Sequence, residues 1–408
     1  MSFRFLKVSR FYPVFLQQYY EANPQIKLKG YLEQHEHLML QGFSWANYLG
    51  THLKNDFGAE TLEIVSNATV LQAAWAKEHG VSLSGTQLIF EQIKRFRPDI
   101  VFLQDTISFS DSWIRRLKAE IPTVKLILGW RCAPYTSADM ERCRGIDLMM
   151  SCTPAFVEGF RKIGMPSALL NHGFDASNAQ FPRTQTMEVM FAGSLIQGEG
   201  YHNGRLKFLS DLVRGGIPIR LYVDLLDDKK KVAKKILGSA ANTIQGLGLQ
   251  PFFHRSSFYS RALQWKNIAL FDKNSALLSK FSQPQIFGRE LFQTMASAKI
   301  NINFHIDSAG QYAGNSRLFE ATGSGSCLVT DNKLNMRNLF EPDKEIVTFD
   351  SNQECLEKLR WLLDHPKESE EIAAAGKKRC LQDHSFRRRA AELHEIMNNQ
   401  LKDKKVYV

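Results

Sequence analysis

The stretch Asn315-Ser-Arg317-Leu-Phe-Glu320-Ala-Thr-Gly323-Ser-Gly325-Ser-Cys-Leu-Val-Thr330-Asp331 governs the reading of the whole chain. Its polar opening, paired glycines and apolar close predict a short helix, a glycine-rich turn and a buried strand. Arg317 and Glu320 stand three residues apart and so share one helix face. A guanidinium grips a phosphate through a planar fork, and a carboxylate accepts both hydroxyls of a ribose. The pair points to a pocket for a nucleotide-linked ligand, a nucleotide sugar in particular. The same two residues also fit a surface ion pair on an ordinary αβ unit, and this segment alone does not choose.

Outward from it, strands alternate with helices along most of the chain. Strands are expected near 3–8, 62–65, 100–103, 124–128 and 148–151, then 188–191, 219–223, 300–304, 327–330 and 345–349. Helices fall between them, including one long pattern over 31–56, and residues 225–285 resist assignment. Such alternation predicts parallel sheets covered on both faces. Polar, irregular sequence up to 186 reads as a linker. The fold class is therefore α/β, with two Rossmann-like doubly wound domains. Residues 1–180 form the first and 187–382 the second, with a closing helix over 383–408.

The 408 residues allow roughly two to three domains. A net charge of +10 and a pI near 9.2 suit an anionic substrate, an acidic membrane surface or nucleic acid. The basic clusters at 229–231, 234–235, 377–379, 387–389 and 402–405 lack the interleaved aromatics of a single-strand groove. Nucleic acid is thus not an expected partner, whereas peripheral contact with an acidic membrane is retained. Six scattered cysteines show no C-x-x-C spacing, so neither a zinc nor a redox motif is indicated and a reducing cytoplasm is expected. The N-terminus has no long apolar region and no run of 18 apolar residues occurs. The expected location is cytoplasmic, with the inner face of the membrane as the peripheral alternative.

Ligands of open α/β sheets lie at the carboxyl ends of strands, which nominates several positions. Gly193, Ser194 and Arg205 bracket a glycine-rich loop and a helix start suited to an anion, or simply a turn. Gly323 could open the backbone toward a phosphate, or serve a tight helix-to-strand turn. His305 follows a strand and could act in catalysis or be structural. Asp105 could be a general base on an acceptor hydroxyl, or a turn or helix-capping residue. The loop Ser9-Arg10-Phe11-Tyr12-Pro13 and the pair Trp130-Arg131 face the same edge. No cluster has metal-ligand spacing and no Asp-x-Asp occurs. No metal and no cofactor are expected, beyond a nucleoside diphosphate sugar as co-substrate. Arginine, lysine and helix dipoles would then offset a leaving diphosphate.

Four segments of the second half resemble the GT-B glycosyltransferases of the group-one, family-four-like branch, and specifically the subgroup named after the spore-maturation protein CgeB. These are Phe287-Gly288 through Ile300-Asn-Ile-Asn303, Asn315-Ser-Arg317-Leu-Phe-Glu320-Ala, Leu339-Phe-Glu-Pro-Asp-Lys-Glu345-Ile, and Ile372 to Arg379 with His384-Ser-Phe-Arg387-Arg-Arg389. The resemblance implies two domains across a deep cleft, the N-terminal one taking the acceptor and the C-terminal one the donor. It implies that Glu320 holds the ribose, that Asn315 and Arg317 belong to the donor helix with Arg317 on the diphosphate, and that Gly193 and Ser194 line the phosphate loop. It implies sugar transfer to a hydroxyl of a glycan, lipid carrier or other acceptor. A sugar-nucleotide epimerase and a non-catalytic sugar-nucleotide-binding protein share this fold and remain alternatives. The chain departs from the pattern at Tyr312, where many group-one enzymes carry a second glutamate.

Overall fold

The computed structural model describes residues 3–106, 108–195, 201–225, 228–247, 259, 262–263 and 273–406. Among them, twelve strands form two six-stranded sheets in which every pairing is parallel. The first contains β1 Arg4–Ser9, β2 Glu60–Val65, β3 Ile100–Leu103, β4 Leu126–Trp130, β5 Leu148–Ser151 and β6 Ser167–Leu169, in the order β2-β1-β3-β4-β5-β6. The second contains β7 Met187–Gly193, β8 Ile219–Val223, β9 Ser282–Gln283, β10 Ala298–Asn303, β11 Cys327–Asp331 and β12 Val347–Phe349, in the order β12-β11-β10-β7-β8-β9. Central strands such as Ile-Val-Phe-Leu of β3 are buried throughout, as helices on both faces require.

Strand order fixes where a ligand can sit. In the second sheet the chain builds outward from β7 through β8 to β9, then returns to the other side of β7 as β10. The helices on either side of this reversal leave a crevice beyond the carboxyl ends of β7 and β10. Six helices frame the regions discussed below: α1 Pro13–Ala22, α2 Tyr48–Phe57, α3 Asn203–Arg214, α4 Gly288–Ala296, α5 Ser316–Ser324 and α6 Phe386–Val406.

The last helix belongs to the core of the first half. Phe386, Ala390, Leu393 and Met397 of α6 are buried with Phe5, Leu49, Leu53, Phe102 and Leu128. Arg387 makes two hydrogen bonds to Asp56 of α2, at 2.9 and 3.0 Å. The start of α6 is pinned where the chain leaves the first sheet: Phe174 N–H donates to His384 O at 3.0 Å, and Phe386 N–H donates to Phe174 O at 3.1 Å.

Two expectations need correction. The helical pattern over 31–56 is two helices, Tyr31–Met39 and Tyr48–Phe57. Between them the backbone turns left-handed at Gly42, Ser44 and Ala46. Along that path Phe43 and Trp45, two residues apart, enter different cores. The cysteines, whose spacing suggested no redox motif, also include one pair. Cys132, just past β4, is joined to Cys152, just past β5, as a disulfide, while Cys143, Cys327, Cys355 and Cys380 are free and buried. Neighbouring strand ends bring together residues twenty apart, so local spacing carried no sign of the pair. Among the described residues no helix is long and apolar enough to cross a membrane.

Candidate functional site

The start of α5 lies on the crevice at the sheet reversal. Asn315, the residue before the helix, has an extended backbone and caps nothing with its side chain. Its amide instead donates to Asn303 Oδ1 at the end of β10 at 2.6 Å, and Asn303 donates to Thr330 Oγ1 of β11 at 2.9 Å. Two strands and one helix are thereby tied at a single point. With no capping hydrogen bond from Asn315, the first-turn amide groups suit an anion.

Arg317 and Glu320 occupy the next turn. Arg317 Nε donates to Ala192 O of β7 at 2.9 Å, and its Nη1 forms an ion pair with Glu320. The Arg317 side chain is 26% exposed and that of Glu320 10%. Both face the first half of the molecule. Tyr12 and His172 lie within electrostatic reach of Arg317, and Tyr48 and Tyr12 within reach of Glu320. The pair therefore neither faces bulk solvent nor sits deep in one lobe; it looks across the cleft.

The other nominated residues are less open. Ser194 Oγ donates to Asp224 at 3.1 Å, and the same carboxylate accepts Leu195 N–H at 2.8 Å. Asp224 thus pins the loop that begins at Gly193. Gly198 and Gly200 of that loop lie outside the described residues. Arg205 is a correction to the donor set. It is buried, and its guanidinium donates to Ser194 O at 2.7 Å and to Phe304 O, so it ties the ends of β7 and β10. Burial first, and the nearby Arg317 charge second, lower its pKa to about 10. The α3 start has a partner as well, because Asn203 N–H donates to Asp307 at 3.2 Å.

His305 is enclosed rather than presented to the cleft. Its Nδ1 bonds to Asp331 at 2.7 Å, and its backbone N–H donates to the same oxygen at 3.0 Å. Burial works to raise the Asp331 pKa, but His305 and Lys333 prevail and hold it near 2. Asp105 accepts Ser108 N–H at 3.2 Å in the turn after β3 and is buried, which is the turn role and not that of an exposed base. Gly323 is the clearest correction. It lies inside α5, where a Cβ would collide with the Phe174 ring. Helix α5 runs away from the crevice, so Gly323 and the left-handed Gly325 that ends the helix sit toward the opposite edge of the sheet. This glycine permits close packing of helix on aromatic ring.

A family model described as glycosyl transferase-like matches residues 224–395, a span that includes α5 and the first part of α6. No curated protein matches the chain. Its architecture is similar to that of a glycosyltransferase from Rickettsia africae, with a TM-score of 0.55, 10% identity, and 98% of this chain and 99% of that one covered. Anabaena HepE in complex with UDP-glucose gives a TM-score of 0.55 and 9% identity over 97% and 100% of the two chains. Sucrose-phosphate synthase from Thermosynechococcus elongatus gives 0.54 and 10% over 98% and 99%. The fold is GT-B. At these identities the likeness is one of architecture.

In a GT-B cleft, two residues not singled out by the sequence reading stand out. Asp224 lies just past β8, a strand-end position that the same rule used for Asp105 would have found. His172 lies past β6, where Arg389 Nε of α6 donates to its carbonyl oxygen at 2.8 Å and Trp45 Nε1 donates to its ring at 2.8 Å. Tyr12, within the nominated 9–13 loop, is 61% exposed. A cavity of about 400 Å³ beside α1 is lined by Arg10, Pro13, Gln17, Tyr20, Asn67 and Thr69. A larger one of about 620 Å³ lies over the β11–β12 edge and includes neither Arg317 nor Glu320.

Proposed function

We propose that the protein is a metal-independent glycosyltransferase that moves a sugar from a nucleoside diphosphate sugar to an acceptor hydroxyl. The observation that carries this reading is the Arg317–Glu320 pair, set at the reversal point of the second sheet and facing the first half. As the pair stands, each charge answers the other. A nucleotide would exchange both partners at once, giving Glu320 two ribose hydroxyls and Arg317 a phosphate, so little charge is left uncompensated at any stage. Asn315 would hold the helix start in place, and the α5 amide groups and dipole would stabilise the leaving diphosphate with Arg317. Gly193 and Ser194 would border the same phosphates.

The acceptor, a glycan or a lipid carrier, would occupy the first half, where the cavity beside α1 offers Arg10, Gln17 and Thr69. Closure of the halves would exclude water from the transfer. The net charge of +10 supports attraction of the anionic donor and peripheral work at the acidic inner face of a membrane. The resemblance of the motifs named above to the CgeB-like subgroup supports the same reading.

The test is release of nucleoside diphosphate from a panel of uridine, guanosine, cytidine and thymidine diphosphate sugars, with and without saccharide acceptors. Acceptor-stimulated release that is lost in Glu320→Ala supports the proposal. Interconversion of the donor sugar without release would replace transfer by epimerisation, and binding without either would leave a sensor.

A further inference from the structure

The disulfide lies where the two halves meet. Cys132 follows β4 and Cys152 follows β5, so the bond clamps two neighbouring strand ends at the cleft edge of the first sheet. Cys132 is half-buried and Cys152 fully buried, so Cys132 is the partner nearer solvent. Gly314, two residues before α5, rests directly on this clamp: a Cβ there would collide with the Cys152 carbonyl and approach Thr153 Cγ2 to 2.8 Å. Three residues further along comes Arg317. His172 completes the cluster, with ligand atoms of Cys132, Cys152 and His172 all within 4.8 Å of one another.

Two sulfurs and an imidazole also describe a metal site, and Trp45 decides against one. Its indole N–H donates to His172 Nδ1 at 2.8 Å. The ring is neutral, because burial first and then the Arg389 and Arg317 charges push its pKa to about 3. With Nδ1 accepting, the ring proton sits on Nε2, and neither nitrogen has a lone pair left for an ion. A metal-bound histidine shows the reverse arrangement, donating its second N–H outward.

The geometry points to a thiol–disulfide switch at Cys132–Cys152 that sets the seat of Gly314, and through it the position of the α5 start and its affinity for a nucleoside diphosphate. The co-reactant is a small cellular thiol or a protein dithiol. Its thiolate attacks Cys132 Sγ, the S–S bond breaks, and Cys152 leaves as a thiolate that takes up a proton. A second thiol then attacks the mixed disulfide and releases Cys132, so one disulfide is reduced and one is formed. Oxidised glutathione runs the steps backward. With the pair closed, the Cys152 carbonyl is held against Gly314. With it open, the two loops part and the α5 start loses its stop.

The nucleotide readout rests on the function proposed above, so a second readout is included. Full-length protein equilibrated with oxidised glutathione should show four reactive thiols after denaturation, and six after dithiothreitol. Uridine diphosphate should bind about fivefold or more weakly in the reduced form, the lower end of coupling between linked sites. Cys132→Ser should behave as the reduced form whatever the reagent. Amide exchange over residues 312–318 should be faster when reduced, whether or not a nucleotide binds. Six thiols after oxidation would overturn the switch, as would equal affinity with equal exchange in both forms. Stoichiometric zinc by mass spectrometry, with both thiols protected, would replace it by a metal site. If no nucleoside diphosphate binds in either form, the glycosyltransferase reading falls, while thiol count and exchange still decide the switch.

Discussion

Glu320→Gln separates the role of this side chain in holding the protein together from its role in holding a ligand. The carboxylate is paired with Arg317 and 10% exposed, whereas Arg317 is 26% exposed and keeps its bond to Ala192 O. The pair lies between two regimes. Exposed pairs contribute up to about 1 kcal/mol, and breaking a fully buried one costs about 3–5 kcal/mol. A loss of about 1–2 kcal/mol is expected, which lowers Tm by about 5 °C in a protein whose domains are this size. Binding should suffer more. Hydrogen bonds to a charged group are worth about 1 kcal/mol more each than those to a neutral one. Two ribose hydroxyls facing an amide instead of a carboxylate then lose about 2 kcal/mol, or roughly 30-fold in Kd. Calorimetric titration with uridine diphosphate, beside a thermal melt, measures both. Affinity within twofold of wild type, with the melting shift present, would show a structural ion pair and refute the ribose assignment.

Arg317→Ala should weaken uridine diphosphate by about tenfold or more, about 1.4 kcal/mol, and change uridine binding little; equal losses in a titration of both ligands would remove Arg317 from the diphosphate. Gly323→Val should destabilise by more than the roughly 1–3 kcal/mol of ordinary overpacking, because its side chain meets the Phe174 ring. Lost nucleotide binding at an unchanged melting temperature would instead return this glycine to the ligand. His384 accepts from Arg389 at Nδ1 and bonds Leu339 O through Nε2, both at 2.7 Å. Burial first, opposed by the Leu339 bond and reinforced by the Arg389 charge, lowers its pKa to about 4. The folded state thus binds fewer protons than the unfolded one between pH 6.5 and 4. The associated stability is present above pH 6.5 and is lost as pH falls toward 4, by about 2 kcal/mol between pH 7 and 5. Urea unfolding at both pH values should show a smaller loss in His384→Gln, and an equal loss would exclude His384 as a source.

The alternation of strands and helices was legible because strands covered on both faces must be apolar along their length, as Ile100–Leu103 is. The helix carrying Arg317 and Glu320 was legible from spacing, which fixes a helix face without tertiary information. What escaped depends on neighbours remote in sequence. Arg205 looks like an anion ligand at a helix start, yet two carbonyls at adjacent strand ends take its guanidinium. Gly323 looks like a loop glycine, and only the position of Phe174 reveals its packing role. The break near Gly42 was hidden because apolar residues continue through it, and the left-handed backbone at Ser44 and Ala46 has no glycine to announce it. Cys132 and Cys152 became neighbours only once β4 and β5 were placed side by side.

The crossing of α6 bears on synthesis. The first 170 residues leave the ribosome with a hydrophobic trough over Leu49, Leu53 and Phe102 that Phe386, Leu393 and Met397 fill in the finished fold. Because those three are translated more than two hundred positions later, the first lobe stays unsealed until translation of the second is essentially done. A nascent chain halted before position 386 should therefore be a chaperone client and a protease substrate, even though it already contains every strand of both sheets.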